Sequence, residues 1–583
     1  MRPKPMGMTN RPRPARPCRR AWVLAVGALA ALAGGCSSSK PEPSTPSTPR
    51  DVSTPEYLRD TVGEITRFAG REPLAVQGHG FVTGLDGTGT TAVPPGIRRR
   101  ILEMMQRNKV TDAERILNDP DTAVVSVFGR VPPGARVGEP FDLGVRVIPG
   151  TETTSLEGGF LLECDLHRVR VARGVEARSK PLALGRGSIF VSPFTDDDAG
   201  PGPRSGRILA GGRSLKDRQF RLVLLTPSVR TADQLVRLLN GRFPEAATGT
   251  ADPARVDLTV PEAFRHDKTR FLDLVGALYM RERAGVREQR IRLLISTLRR
   301  HEDMDRVALC LEAFGASVAP HLHPLGDSDD PALRFYAGRT LAHLQDARAV
   351  HVLEPIVSDD ASPFQEEAVE ALGRLRSGLG LGLLSRSLQA ASTRVRVAAW
   401  RMMSRLAPGT FLARRFEGQF DLHVVATEAD PFVYVARTGE PEIVIFGEVP
   451  ICPPVLAETR RLTATVRSGE KQVCLIARRR GEDIYRKADP TVRAVIETVA
   501  APVVRDEDDA ERTDKPAEED LGLGLGYSDV VGLLHELDQK GALGGPIVLQ
   551  PLQYRVLGPD RSLRPIRPAG RDEDPTRLQP EEP

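Results

Sequence analysis

A 31-residue repeat near the middle of the chain limits the folds available to it more than any other feature. The repeat places one small residue and two larger apolar residues at matching positions in three successive units: Ala337, Leu341 and Leu344; Ala368, Leu372 and Leu375; Ala399, Met403 and Leu406. This spacing predicts stacked helix pairs, because one unit alone cannot bury its apolar face. A plain helical bundle with accidental spacing is the alternative.

Segments typical of β-strands flank this block on both sides. The predicted strands lie at 123–128, 220–225, 256–260, 421–426, 432–436, 443–446, 462–466, 473–476 and 547–549, and the predicted helices at 97–108, 271–278 and 529–539. A capping box of Thr231 and Gln234 predicts the start of another helix. The sequence thus predicts a mixed, multi-domain α+β fold interrupted by an α-helical solenoid that resembles HEAT-type repeats. We expect the solenoid to fold independently.

The first 35 residues have the pattern of a secretory signal peptide. Arg19 and Arg20 precede an uncharged run at 21–35, which is short for a membrane span and ends in small residues. The small residues stand directly before Cys36, which resembles a bacterial lipobox, so we expect Cys36 to be acylated. Several acyl chains would hold the protein on a membrane, with the Ser- and Pro-rich segment 36–55 as a stalk. Ordinary secretion and a retained anchor are the alternatives.

The basic charge of the chain is concentrated in this leader. The whole chain has 81 Lys and Arg against 77 Asp and Glu, but seven of the basic residues precede residue 21. The rest of the chain has 74 basic and 77 acidic residues, a net charge of −3. We therefore expect no nucleic-acid partner, since binding to the phosphate backbone needs a basic surface.

No motif in the sequence supports catalysis. The glycine-rich segment 78–89 lacks the Gly-Lys-Ser/Thr of a phosphate-binding loop and the fingerprint of a dinucleotide site. Its glycines are expected to allow positive φ angles and close backbone contact around a tightly packed central strand at 81–84. His321 and His323 are expected to form a surface pair in a loop. The chain is predicted not to be an enzyme and to hold no cofactor and no metal.

The sequence has two glycine-rich motifs, of which the first comprises Gly78, Gly80, Gly84, Leu85, Gly87 and Gly89, and the second comprises Ser155, Leu156, Gly158 and Gly159. These motifs resemble those of the bacterial flagellar basal-body P-ring protein family. Similar segments follow in the family's order at 97–108, 122–127, 131–138, 141–147, 433–449 and 533–549. The resemblance implies a P-ring-type fold in which both motifs position the assembly surface.

The chain departs from the family in its lipid anchor, its helical block and its cysteines. The family commonly bridges a cysteine at the Cys452 position to one near the carboxyl terminus, where this chain has Gly541-Ala542-Leu543. That bridge cannot form here. Cys474 is expected on a neighbouring strand, so a Cys452–Cys474 bond is predicted if the two Cα atoms lie within about 7 Å.

The resemblance implies a structural component of the flagellar basal body, a P-ring or P-ring-like protein that forms a periplasmic ring around the rod. The expected partners are other copies of the chain, the flagellar rod, the outer ring proteins, peptidoglycan, and a membrane contacted through the lipid anchor. The expected location is the periplasm, with the anchor in the outer membrane. The alternative is a lipid-anchored envelope adaptor that reuses the P-ring fold and binds a partner through its helical repeats.

These patterns divide the chain into eight predicted parts. They are a lipoprotein signal peptide (1–35), a Ser/Pro stalk (36–55), a first P-ring-like part (56–280), HEAT-like helical repeats (281–412), a second, β-rich P-ring-like part (413–500), an acidic flexible loop (501–525), the last helix and strand of the P-ring-like fold (526–558), and a disordered tail (559–583).

Overall fold

The computed structural model describes residues 54–90, 95–107, 111–172, 175–194, 202–250, 252–280, 284–375, 378–479, 482–503 and 522–552. The predicted signal peptide, Cys36, nearly all of the stalk, residues 504–521 of the predicted acidic loop and the predicted tail lie outside the described residues. In the described part of the chain, none of the helices has the length and apolar character that crossing a membrane requires.

The described chain alternates between β-rich and helical regions. Its helices are α1 Val62–Ile65, α2 Pro95–Arg107, α3 Ala113–Leu117, α4 Val229–Arg242, α5 Lys268–Ala277, α6 Ala284–Arg299, α7 Met304–Ala313, α8 Ala319–Gly326, α9 Pro331–His343, α10 Ala349–Val357, α11 Gln365–Leu372, α12 Gly378–Ser387, α13 Thr393–Leu406, α14 Val492–Ala500 and α15 Tyr527–Gln539. Its strands are β1 Thr66–Ala69, β2 Leu74–Thr83, β3 Ala123–Val131, β4 Pro140–Val147, β5 Phe160–Leu166, β6 Val169–Ala172, β7 Val175–Arg178, β8 Ala183–Ser188, β9 Ser205–Ser214, β10 Phe220–Leu224, β11 Ala247–Gly249, β12 Arg255–Leu258, β13 Leu412–Phe416, β14 Phe420–Val425, β15 Phe432–Val435, β16 Glu442–Phe446, β17 Val455–Glu458, β18 Leu462–Val466, β19 Val473–Arg479, β20 Glu482–Ala488 and β21 Ile547–Leu549.

Six antiparallel strands close into a barrel in the order β2-β3-β4-β9-β8-β5. Alternate residues of each strand face the barrel core, which holds the fully buried Val127, Leu143 and Leu161. Ile101 and Met105 of α2 belong to the same apolar cluster. The predicted strand at 123–128 therefore lies in β3, and the predicted helix at 97–108 corresponds to α2.

A second sheet, in the order β1-β10-β12-β11, packs with α4 and α5. Helix α4 begins at Val229, and the side chain of Ser228 accepts a hydrogen bond from the Thr231 N–H at 3.3 Å. The predicted start of this helix at a Thr231–Gln234 capping box is therefore wrong. Ser228 is the N-cap because its hydroxyl oxygen meets the free amide of the first turn.

Helices α6 to α13 fill the region of the sequence repeat, and the described residues between 284 and 406 contain no strand. Helices α7, α9, α11 and α13 contact one another in sequence, and α10 and α12 pack on them from the side. The repeat residues Ala337, Ala368 and Ala399 lie at these contacts and are fully buried. Small residues at these positions let neighbouring helices approach closely. The assignment of the block to HEAT-type repeats stays a prediction.

The carboxyl-terminal part has two sheets. The five-stranded sheet has the order β13-β14-β16-β15-β21, and the four-stranded sheet has the order β17-β18-β19-β20. Helices α14 and α15 share one apolar cluster with both sheets. Helix α13 packs on the five-stranded sheet, where the buried Arg396 donates to the Asp430 carbonyl at 2.7 Å and lies 4.6 Å from the centre of the Phe432 ring.

The structure contains free thiols at Cys452 and Cys474, so the predicted bond between them is not formed. Cys452 precedes β17, whereas Cys474 lies on β19, and β18 separates these two strands. Two strand spacings of about 4.8 Å each exceed the Cα separation that a disulfide tolerates. The Cys452 N–H instead donates to the Ala542 carbonyl at 2.8 Å, beside the segment that lacks the family's second cysteine.

Candidate functional site

The two glycine-rich motifs meet where the barrel closes. β2 and β5 pair at Val82 with Leu161 and at Thr83 with Phe160, and each of these residues lies within 78–89 or 155–162, the segments that carry the two motifs. Beyond the strands, the Thr88 hydroxyl donates to the Ser155 carbonyl at 2.9 Å. We call residues 78–89 and 155–162 together the closure seam. Both motifs are recognisable in the sequence, but their contact with each other was not predicted.

Glycines inside β2 allow β5 to cross it closely. A Cβ added to Gly78 would lie 2.4 Å from the Asp165 carbonyl oxygen, and one added to Gly80 would lie 2.4 Å from Leu161 Cδ1. The Asp165 oxygen is a backbone atom, so any side chain at Gly78 would push the two strands apart, whereas a side chain at Gly80 would have to displace side chains of the barrel core. The expectation of close backbone contact is correct for Gly78; at Gly80 the close contact is with side chains.

Other glycines of the seam serve turns. Gly84 and Gly87 have φ values of +79° and +82°, in the left-handed region that glycine adopts most easily. β2 ends at Thr83, and Gly84 is exposed. The expectation that Gly84 lies in a tightly packed strand is therefore wrong, because the requirement for glycine there comes from the backbone angle rather than from neighbouring atoms.

The remaining motif residues are tightly packed or buried. A Cβ on Gly89 would lie 2.0 Å from the Thr122 carbonyl oxygen, and one on Gly159 would lie 2.7 Å from Val82 Cγ1. Leu85 and Leu156 are fully buried beside them, and Ser155 is also buried. These contacts fix the loops at both ends of the seam.

Two arginines from the carboxyl-terminal part hold the seam from outside the barrel. Arg461 forms ion pairs with Asp86 at 3.3 Å and with Asp529 at 3.1 Å, and its guanidinium lies against Gly158. Arg460 donates to the Leu85 carbonyl at 3.2 Å. Burial raises the pKa of Asp529, and the adjacent Arg461 opposes this change. Sequence reasoning missed this clamp, because two arginines beside a strand look like ordinary surface residues.

A second contact joins the barrel to the five-stranded sheet. The Asp142 carboxylate on β4 accepts hydrogen bonds from the Ala210 N–H at 2.9 Å and the Gly439 N–H at 3.0 Å. Burial raises the pKa of Asp142, and these two amides oppose the shift. The barrel is thus fixed to the carboxyl-terminal part at two separate points.

The cleft beside the closure seam is small. A cleft of about 80 Å³ lies beside Glu157, Arg461 and Asp529, whereas small-molecule sites measure about 300–1,000 Å³. In the described ranges, no group of three or more histidine, cysteine or acidic side chains is placed to bind a metal.

His321 and His323 lie in helix α8, not in the expected loop. His321 Nε2 lies 3.6 Å from a carboxylate oxygen of Glu288, and His323 Nε2 lies 3.2 Å from one of Asp346. The histidines therefore contact different carboxylates.

Comparison with known proteins identifies the same region. Residues 61–290, which include the barrel, match the family model of the flagellar P-ring protein. The flagellar P-ring protein of Anaeromyxobacter sp. strain K is 26% identical over 339 residues, which cover 54% of this chain and 85% of that protein. The flagellar P-ring protein of Thermotoga maritima is 29% identical over 226 residues, covering 37% of this chain and 65% of that protein. The matched segment contains both motifs of the closure seam, so residues 61–290 of this chain are similar to the flagellar P-ring protein family.

Proposed function

We propose that this chain is a structural subunit of the flagellar basal body that assembles with copies of itself into a P-ring around the rod. The observation that carries the proposal is the closure seam, in which both family motifs fix the barrel and the clamp by Arg461 fixes the barrel to the carboxyl-terminal part. A ring subunit needs such internal rigidity, because small changes of angle within one copy accumulate around a closed ring.

The role is structural rather than enzymatic. The polar groups of the seam are engaged in holding the fold: Thr88 bonds to the other motif, and Arg461 is shared between Asp86 and Asp529. The ring would contact the rod, the outer ring proteins and peptidoglycan in the periplasm. The predicted acylation of Cys36 would add an anchor in the outer membrane. In this proposal, the helical block serves as a docking module that the ring carries.

Purified basal bodies from a flagellated host test the proposal. We expect the chain to copurify with the rod as a closed oligomer, and a strain lacking the gene to lose the ring and its motility. A chain that is absent from basal bodies, together with normal motility of the deletion strain, would refute the ring role and favour the envelope adaptor.

A further inference from the structure

The four-stranded sheet of the carboxyl-terminal part has an open edge at each end. Among the described residues, β17 pairs only with β18, and β20 pairs only with β19. Helices α14 and α15 pack on the apolar side of this sheet and leave both edges uncovered by a further strand. An open edge presents backbone N–H and C=O groups that can pair with another chain.

The outward-facing groups of β20 are identified by one hydrogen bond. The Tyr485 carbonyl accepts from Nη1 of Arg486 at 2.9 Å, so it points away from β19. Because backbone direction alternates along an antiparallel strand, Asp483 and Lys487 also present their backbone groups outward. The three side chains of these residues are exposed, and 59% of the Tyr485 surface is accessible.

The outward-facing groups of β17 follow from its hairpin with β18. The Thr459 N–H donates to the Leu462 carbonyl at 2.8 Å, so the backbone of Thr459 faces β18. By the same alternation, Leu456 and Glu458 face outward. The Leu456 side chain is 58% exposed. The two ends of one sheet thus carry complementary backbone edges, each with one large exposed side chain.

We propose that β17 of one copy pairs antiparallel with β20 of the next copy, with Glu458 opposite Tyr485 and Leu456 opposite Lys487. The proposal rests on the ring function and names its subunit interface. Since β17 and β20 are different surfaces, the contact is head-to-tail, which is the type that closes into rings. β17 and β20 run in opposite directions, because every pair in this four-stranded sheet is antiparallel. A rotation between neighbouring copies that nearly preserves the direction of the strands therefore makes β17 of one copy antiparallel to β20 of the next.

Charge disfavours one of the two neighbouring registers. A shift by two residues in that direction would place Glu458 opposite Asp483, and like charges directly opposite one another destabilise a strand pair. In the proposed register Glu458 lies opposite the uncharged Tyr485, with Asp483 and Lys487 as its diagonal neighbours. The bond between Arg486 and the Tyr485 carbonyl would be replaced by a backbone N–H of the neighbouring β17.

Cysteine cross-linking between two differently tagged chains tests the interface. One chain carries Glu458→Cys and the other Tyr485→Cys, each in a background with Cys452→Ser and Cys474→Ser, and both are expressed in a flagellated host lacking the native gene. Positions 458 and 485 of one copy are three strand spacings, or about 14 Å, apart, so they cannot bond within a chain. Directly opposite residues of neighbouring copies have Cα atoms about 5.5 Å apart, within disulfide range.

We expect mild oxidation to link the two tagged chains in the basal-body fraction. The matched control pairs Glu458→Cys with Asp483→Cys, which belongs to the rejected register, and should give at least tenfold less cross-linked product. Tyr485→Cys chains that link to each other would indicate edge-to-edge dimers and overturn the head-to-tail pairing.

The chain without the introduced cysteines, called the parent chain, distinguishes failure of this interface from failure of the proposed function. Basal bodies that contain the parent chain, but show no link between positions 458 and 485, overturn the interface and leave the ring function intact. Basal bodies without the parent chain overturn both.

Discussion

Replacing Gly89 by alanine tests whether the closure seam depends on close backbone contact. The new Cβ would lie 2.0 Å from the Thr122 carbonyl oxygen and 2.6 Å from that of Pro120. Both neighbours are backbone atoms, so the clash cannot be relieved by a side-chain rotation. Residues 120–122 would have to move by more than about 1 Å, since carbon and oxygen normally stay above about 3 Å.

That movement breaks hydrogen bonds as well as packing. The Gly89 N–H donates to the Pro120 carbonyl at 2.9 Å, and the Thr90 N–H donates to that of Thr122 at 3.0 Å. Two lost hydrogen bonds cost about 1 kcal/mol each, and overpacking adds about 1–3 kcal/mol. We expect Gly89→Ala to lower the free energy of unfolding of the barrel by about 3–5 kcal/mol.

Gly87→Ala is the matched control. Gly87 lies two residues away in the same motif, but a Cβ there would meet no atom within 4 Å. Its φ of +82° leaves only the cost of a left-handed alanine, about 1–2 kcal/mol. Comparison of Gly87→Ala with Gly89→Ala therefore distinguishes the cost of a left-handed backbone from the cost of a steric clash within one loop.

Native-state hydrogen exchange of peptides from β2 and β3 measures the local effect. At about 1.4 kcal/mol per tenfold change, exchange of protected amides should rise by about 100- to 4,000-fold in Gly89→Ala and about tenfold in Gly87→Ala. Equal exchange in the two variants, or a larger effect at Gly87, would refute the steric argument.

Four further predictions concern separate parts of the chain. Replacing the predicted acylation site, Cys36→Ser, should release the protein from membranes without unfolding it, as measured by fractionation and acyl labelling. Burial raises the pKa of Glu442 to about 7, so the folded state favours the protonated carboxyl. Ionisation of Glu442 should therefore lower the free energy of unfolding by roughly 3 kcal/mol as the pH rises from about 4.5 to 8. Glu442→Gln should abolish this contribution, as measured by urea titrations at the two pH values. Ala368→Asp places a charge at a fully buried helix contact and should cost several kcal/mol in thermal melting. His321→Ala and His323→Ala remove partly exposed contacts with carboxylates and should each change stability by less than about 1 kcal/mol in the same assay.

Local sequence patterns predicted individual elements well. The apolar run at 432–436 corresponds to β15, and the helical pattern at 529–539 lies in α15. Such segments are visible because the period of apolar residues records which face is buried. Backbone demands were also correctly expected at Gly78, Gly87 and Gly89 of the first motif, whereas Gly84 is not packed in a strand and Gly80 contacts side chains.

Closure of the barrel could not be predicted, because it depends on pairs far apart in the sequence. β2 pairs with β5 about 80 residues later in the sequence, at Val82 and Thr83. β9 contains three glycines among ten residues, which weakens any local strand pattern. The clamp escaped detection for a similar reason: nothing near Arg461 in the sequence indicates that Asp86, far earlier in the chain, is its partner.

The packing of the helical block argues against the expected independent solenoid. A single apolar cluster runs from Phe271 of α5 through Leu341 and Trp400 to Phe432 of the five-stranded sheet. The Arg396 guanidinium is buried only because α13 docks on that sheet, where a carbonyl and an aromatic ring replace water. Excision of the block would expose Trp400 and remove these partners of Arg396. A ligand bound by the helices would therefore be held at a fixed position relative to the β-rich parts, rather than on a flexible tether.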